Sequence, residues 1–206
     1  FDSVTPNLSI KNRIAPQPNA TSNIVVNKQI SQAHVMMGTQ TYSLHHPYKA
    51  GLLLLNNMFG GTGMSSILNL QIREKYGIAY TIESNYSPLS DTGIFALYFG
   101  TDKEKVDKAF RLIYKEFKKF RENPLTEIQL QKAKSKFIGQ IALGEENRIG
   151  LIISMAKSLI DYNKIDNLET VFNKIRTVSV ADMANIANEI LDEKNLSSLT
   201  FYPIED

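Results

Sequence analysis

The sequence predicts an α+β domain, a mostly antiparallel sheet with helices packed on one face. Three observations carry that prediction. Two strand-like runs, "IAYTIESNY" and "TGIFALYFG", are joined by the short turn-rich "SPLSD" and form an antiparallel hairpin. A long series of helix-periodic segments follows without interruption, and "SSLTFYP" ends the chain as one more strand. Strands first and helices afterwards is the order of an α+β layout rather than of repeating βαβ units.

Each element has its own local reason. Residues 1–27 are polar and contain Pro6, Pro16 and Pro18, which suits an extended linker or an edge segment before a domain spanning 28–206. "ISQAHVMMG" (30–38) is apolar enough for a buried strand. Pro47 fits the first turn of a helix that runs through "YKAGLLLLNNMF" and stops at Gly60 and Gly61. Ser65 or Ser66 is placed to cap a second helix, "ILNLQIREK", which Gly77 ends. Val106, Phe110, Ile113, Phe117 and Phe120 recur at three- and four-residue steps and make one apolar stripe, closed by Asn123-Pro124. Thr126 and Gln129 form a capping box for the next helix, with Leu125 and Leu130 as its hydrophobic staple. Further helices are expected over roughly 148–162, 167–176 and 180–191, the last capped by Ser179.

Composition removes whole classes of function. The chain has 206 residues, with Lys plus Arg at 23 against 21 for Asp plus Glu, so no charge excess argues for nucleic acid or an anionic membrane as partner. There is no cysteine, which excludes disulfides, zinc ribbons and thiol catalysis. The longest apolar run, "GLLLLNNMFGG", is far short of the ~20 residues that span a bilayer. The chain begins at Phe1 with no signal-peptide pattern, as expected of a piece cut from a longer precursor whose targeting region is out of view.

Few side chains here suggest chemistry. His45 and His46 are adjacent and so point in different directions, whereas a helical zinc site wants histidines at i and i+4; solvated loop rings are the simpler reading. His34 lies on a strand as a hydrogen-bonded core or surface histidine. "GGTGMSS" has the glycines of a phosphate loop but Met64 where the lysine belongs. What Gly60, Gly61 and Gly63 do provide is a tight turn whose backbone N–H groups are open to a ligand, or simply a turn between two helices. Arg73 and Tyr80 stand seven positions apart on either side of Gly77. An arginine in a last helical turn meets the negative end of the helix dipole, and a tyrosine opening a strand packs its ring, so each has an ordinary structural reading. Because Gly77 breaks the helix between them, the two can also flank one turn and converge on a single point.

The stretch from "LLLLNNMFGGTGMSS" through R-E-K-x-G-x-A-Y, with "SDTG" in the hairpin and "GTD" before the long helix, resembles the second domain of pitrilysin-type zinc peptidases. This family includes insulysin and the mitochondrial and bacterial processing peptidases. The likeness runs from about Lys28 to Tyr202. It implies a fold duplicated within each half of the enzyme, two halves enclosing a chamber, and a catalytic first domain that carries zinc on an H-x-x-E-H helix. Arg73 and Tyr80 match the family's substrate-binding pair in type, spacing and context. A tyrosine hydroxyl can donate to a developing oxyanion, and an arginine fork can hold peptide carbonyls or a carboxylate.

H-x-x-E-H itself is absent. Aligning "LLLLNNMFGGT" with the catalytic pattern puts Leu52, Leu55 and Asn56 where His, Glu and His would stand, and those side chains cannot hold zinc. The resemblance therefore implies a non-catalytic, substrate-binding domain, inert alone, that completes an active site opposite a zinc-bearing domain in the same polypeptide or a partner subunit. The ligand would be a peptide, with no cofactor in this chain. Two alternatives remain: a structural subunit that keeps the fold without proteolysis, and an unrelated peptide-binding module.

Overall fold

Alternation of apolar and polar residues builds the sheet seen in the computed structural model, which describes residues 14, 16–17, 20–61 and 63–204. In β2 (Ala33–Thr41), Ala33, Val35 and Met37 are buried while His34 and Met36 face outward. In β4 (Gly93–Thr101), Phe95, Leu97 and Phe99 are buried and Ile94 is exposed. With β1 (Asn23–Lys28), β3 (Ala79–Pro88) and β5 (Ser197–Pro203), they form a five-stranded sheet in the order β1-β5-β2-β4-β3. All its ladders are antiparallel except β1 on β5, which is parallel. The hairpin expected from the sequence is β3–β4. Residues 23–28, most of them within the segment expected to be a linker or an edge, form the edge strand β1; residues 1–13, 15, 18 and 19 lie outside the described ones.

The helices lie against the inward side of this sheet. In α1 (Lys49–Gly60), Leu52, Leu54, Leu55 and Phe59 are fully buried. The predicted stripe forms α2 (Val106–Glu122), which buries Val106, Ile113 and Phe117, with Phe117 edge-on to Phe59 at 5.4 Å between ring centroids. α3 (Glu127–Gly144) opens with the predicted capping box: the Thr126 hydroxyl accepts from the Gln129 N–H, and the Gln129 side chain accepts from the Thr126 N–H. After α4 (Arg148–Tyr162) and α5 (Leu168–Arg176), α6 (Val180–Ile190) starts at Ser179 and packs Met183, Ile186, Ala187 and Ile190 into the core.

One helix differs from expectation. Residues 69–74 are a π-helix, with Lys75 N–H bonding to the Leu70 carbonyl five residues back. Neither serine acts as the anticipated cap: Ser66 Oγ accepts from the buried Asn69 amide, and Ser65 Oγ accepts from Lys136 Nζ. The same Asn69 amide also reaches the Ile82 carbonyl of β3, which fastens the π-helix to the sheet's edge.

Candidate functional site

The three positions that the resemblance sets against the His, Glu and His of the zinc motif, Leu52, Leu55 and Asn56, hold no zinc-binding or base chemistry. Leu52 and Leu55 are sealed in the core, and Asn56 accepts a 2.8 Å hydrogen bond from Ser84 Oγ through its side-chain oxygen. No cluster of three or more histidines, cysteines or carboxylates occurs among the described residues. The histidines are accounted for by packing. His46 stacks on Tyr42 at 4.1 Å and accepts the Tyr48 N–H, His45 meets Tyr162 edge-on, and His34 Nδ1 is 2.7 Å from the Tyr98 hydroxyl.

A groove of about 510 Å³ opens where the end of α1, the glycine turn and the π-helix meet the edge strand β3. Its lining includes Gly60, Gly61, Gly63, Arg73 and the run from Thr81 to Asn85. The glycines differ in why they are glycine. A Cβ on Gly60 would sit 2.4 Å from the Ser84 backbone nitrogen, and one on Gly61 would sit 2.6 Å from Asn57 Cα, so both are dictated by close approach of the chain to itself. Gly63 has φ +110° and open space around it, so there the backbone conformation is what demands glycine.

Arg73 stands in this groove with little holding it. Its side chain is 43% exposed, and its ionic contact among the described residues is Glu74, at 3.9 Å from Nε to Oε1. Its own helix end is closed by backbone instead: Gly77 N–H bonds to the Arg73 carbonyl and Ile78 N–H to the Ile72 carbonyl. Those carbonyls are closed without the guanidinium, which stands in the last turn of its helix, toward the negative end of the dipole.

Tyr80 is positioned by a feature the sequence did not announce. Ala79 pairs with Thr101 and Thr81 with Gly100, so Tyr80 is the extra residue of a β-bulge. Strict alternation back from buried Ile82 would have put Tyr80 inside. The bulge turns it outward beside Thr81, leaving it 53% exposed. It is not among the groove's lining residues. Its hydroxyl donates to Asp102 Oδ1 at 2.6 Å, and Asp102 Oδ2 is 2.7 Å from Lys105 Nζ. The Lys105 ammonium and the Tyr80 hydroxyl hold the Asp102 carboxyl below its ordinary range, while the bond to Asp102 pushes the Tyr80 phenol up. The structure thus places Arg73 and the three glycines together in one groove, while Tyr80, expected to converge with Arg73, lies outside that lining with its proton given to Asp102. Asp102 was legible only as part of "GTD", because its contact with Tyr80 spans 22 residues of sequence.

Comparison with known proteins bears on the family and the fold. The model of the family described as "Peptidase M16 inactive domain" matches residues 2–137, about two-thirds of the chain. The uncharacterized zinc protease YmxG of Bacillus subtilis is 25% identical over 84% of this chain and 42% of its own length. An uncharacterized zinc protease of Rickettsia felis is 28% identical over 92% of this chain and 46% of its own. The chain spans less than half the length of these curated relatives. Among solved structures, a peptidase M16 inactive domain from Pseudomonas fluorescens superposes with a TM-score of 0.81 at 21% identity, over 96% of this chain and 47% of that one. A chain of complex III from Candida albicans superposes at 0.77 with 17% identity, over 97% of this chain and 50% of that one. The structural likenesses show the fold, and the family model shows that the chain belongs to the peptidase M16 inactive-domain family.

Proposed function

We propose that this chain is the substrate-binding, non-catalytic domain of a zinc metalloendopeptidase. The groove receives an extended segment of peptide, and a zinc-bearing H-x-x-E-H domain, in the same polypeptide or a partner subunit, supplies the metal and the general base. The observation that carries this reading is Arg73, a lightly held guanidinium lining an open groove walled by glycine backbone and strand β3. A planar fork with free donors suits peptide carbonyls or a carboxylate. Tyr80 stands close by in sequence and becomes a second donor to the peptide when its hydroxyl leaves Asp102.

Leu52, Leu55 and Asn56 bring no metal chemistry, so this chain's part is to bind and orient. In the assembled protein, Arg73→Lys keeps the charge and loses the fork. Peptide KM is expected to rise about tenfold, in keeping with one lost hydrogen bond to a charged group. An unchanged KM would remove Arg73 from the site. A second reading, a structural subunit without a proteolytic role, is favoured by one observation, the commitment of the Tyr80 hydroxyl to the protein's own Asp102. It predicts that neither Arg73 nor Tyr80 affects peptide turnover.

A further inference from the structure

A phenol has one proton to give. In this structure Tyr80 gives it to Asp102, so its oxygen can accept a hydrogen bond but cannot donate a second one. Asp102 in turn divides its two oxygens, Oδ1 to Tyr80 and Oδ2 to Lys105. The carboxylate lies one residue beyond the end of β4, and β4 pairs with the very stretch of β3 in which the bulge projects Tyr80. The geometry is therefore fixed from both sides, by the register of the hairpin and by the ammonium of Lys105.

Beyond Tyr80, Asp102 pairs with Lys105 three residues on. It precedes the short 3₁₀ turn Lys103–Lys105 without making a side-chain capping bond, so its carboxylate is not needed to start that turn. We propose that Asp102, steadied by Lys105, is a positioning residue that holds the Tyr80 hydroxyl on the exposed face of the β-bulge and competes with bound peptide for its proton. A peptide carbonyl that takes the Tyr80 proton must displace the carboxylate first. Nothing covalent changes; one hydrogen bond is exchanged for another, and Asp102 keeps its bond to Lys105. This rests on the reading of Tyr80 as a peptide contact, and it adds what controls that contact.

The test uses the assembled protein with fluorescein-labelled casein as probe, comparing Asp102→Ala, Tyr80→Phe and the double variant. Asp102→Ala is expected to tighten binding about threefold to tenfold, the range spanned by a net hydrogen bond. In the Tyr80→Phe background the same substitution should do nothing, because no proton remains to compete for. A direct signature accompanies it: phenol titration of Tyr80, followed by NMR at Cζ, should move down toward the ordinary tyrosine value in Asp102→Ala. If Tyr80→Phe weakens binding while Asp102→Ala leaves it unchanged or weaker, the competition is overturned and the peptide contact stands. If Tyr80→Phe changes nothing, the contact and the competition both fall. An unmoved Tyr80 titration in Asp102→Ala likewise overturns the competition.

Discussion

Helices α1 and α4 are both rich in aliphatic residues, yet they end in opposite environments. α1 buries six of its twelve residues. It lies on the sheet, and α3 and α6 pack beside it. α4 has fifteen residues and none of them is buried. One side of α4, including Leu151, Met155, Ser158 and Tyr162, lines a cavity of about 1000 Å³ shared with α5 and the start of α1. The other side sets Ile149, Ile152, Ile153 and Ile160 in solvent, from 51% to 82% exposed. Their spacing is that of a normal core-facing stripe. Apolar periodicity thus specifies a face but not a partner, and a core exists only where another element supplies the opposite wall.

Leu54→Asp places an unpaired carboxylate in the packed interior and should leave the chain unfolded by circular dichroism. Ile152→Asp on α4 should leave a cooperative melt close to that of the parent. Leu53, which the apolar run alone makes equivalent to Leu54, is only partly buried and lines the cavity, so Leu53→Asp should be the milder variant. Leu52→Ala should cost about 2–5 kcal/mol in urea denaturation through lost contacts and a residual cavity. Gly63→Ala meets no atom, so its cost is the strain of a positive φ, about 1–3 kcal/mol. Gly61→Val, by contrast, would collide with the Asn57 backbone and damage folding and binding together. The smallest effect is expected at Ile160, which is 82% exposed; alanine there should shift stability by less than about 0.5 kcal/mol. Equal losses for Leu52→Ala and Ile160→Ala would mean that α4 is as well packed as α1.

Much of the fold was legible because its signals are local. The Thr126–Gln129 capping box, the Ser179 cap, the α2 stripe and the β3–β4 hairpin each announce themselves locally. What stayed hidden depends on contacts distant in sequence. The π-helical turn at Asn69–Glu74 goes with Asn69 reaching across to the Ile82 carbonyl, thirteen residues away. The bulge at Tyr80 is a matter of register between two strands, and register is not written in either strand alone. For the site, chain order suggested Arg73 with Tyr80 across Gly77, whereas the groove holds Arg73 with the glycine turn and not Tyr80. The engagement of Tyr80 by Asp102 did not follow from chain order, since it needs β4 to finish where β3 bulges. The exposure of α4 was likewise invisible, because its sequence reads like that of any core helix.

The most direct test of the account is Tyr80→Phe in the assembled zinc-bearing protein, read as peptide turnover. The substitution removes one exposed hydroxyl and keeps the ring, so melting should barely move. If Tyr80 supports the reacting carbonyl, losing that donor costs about 2.7–4 kcal/mol of transition-state stabilisation, roughly a hundredfold to a thousandfold in rate. Turnover at the parent rate, with Tyr80→Phe folded and zinc present in the partner domain, would contradict the assignment of this chain as the substrate-binding side of a peptidase.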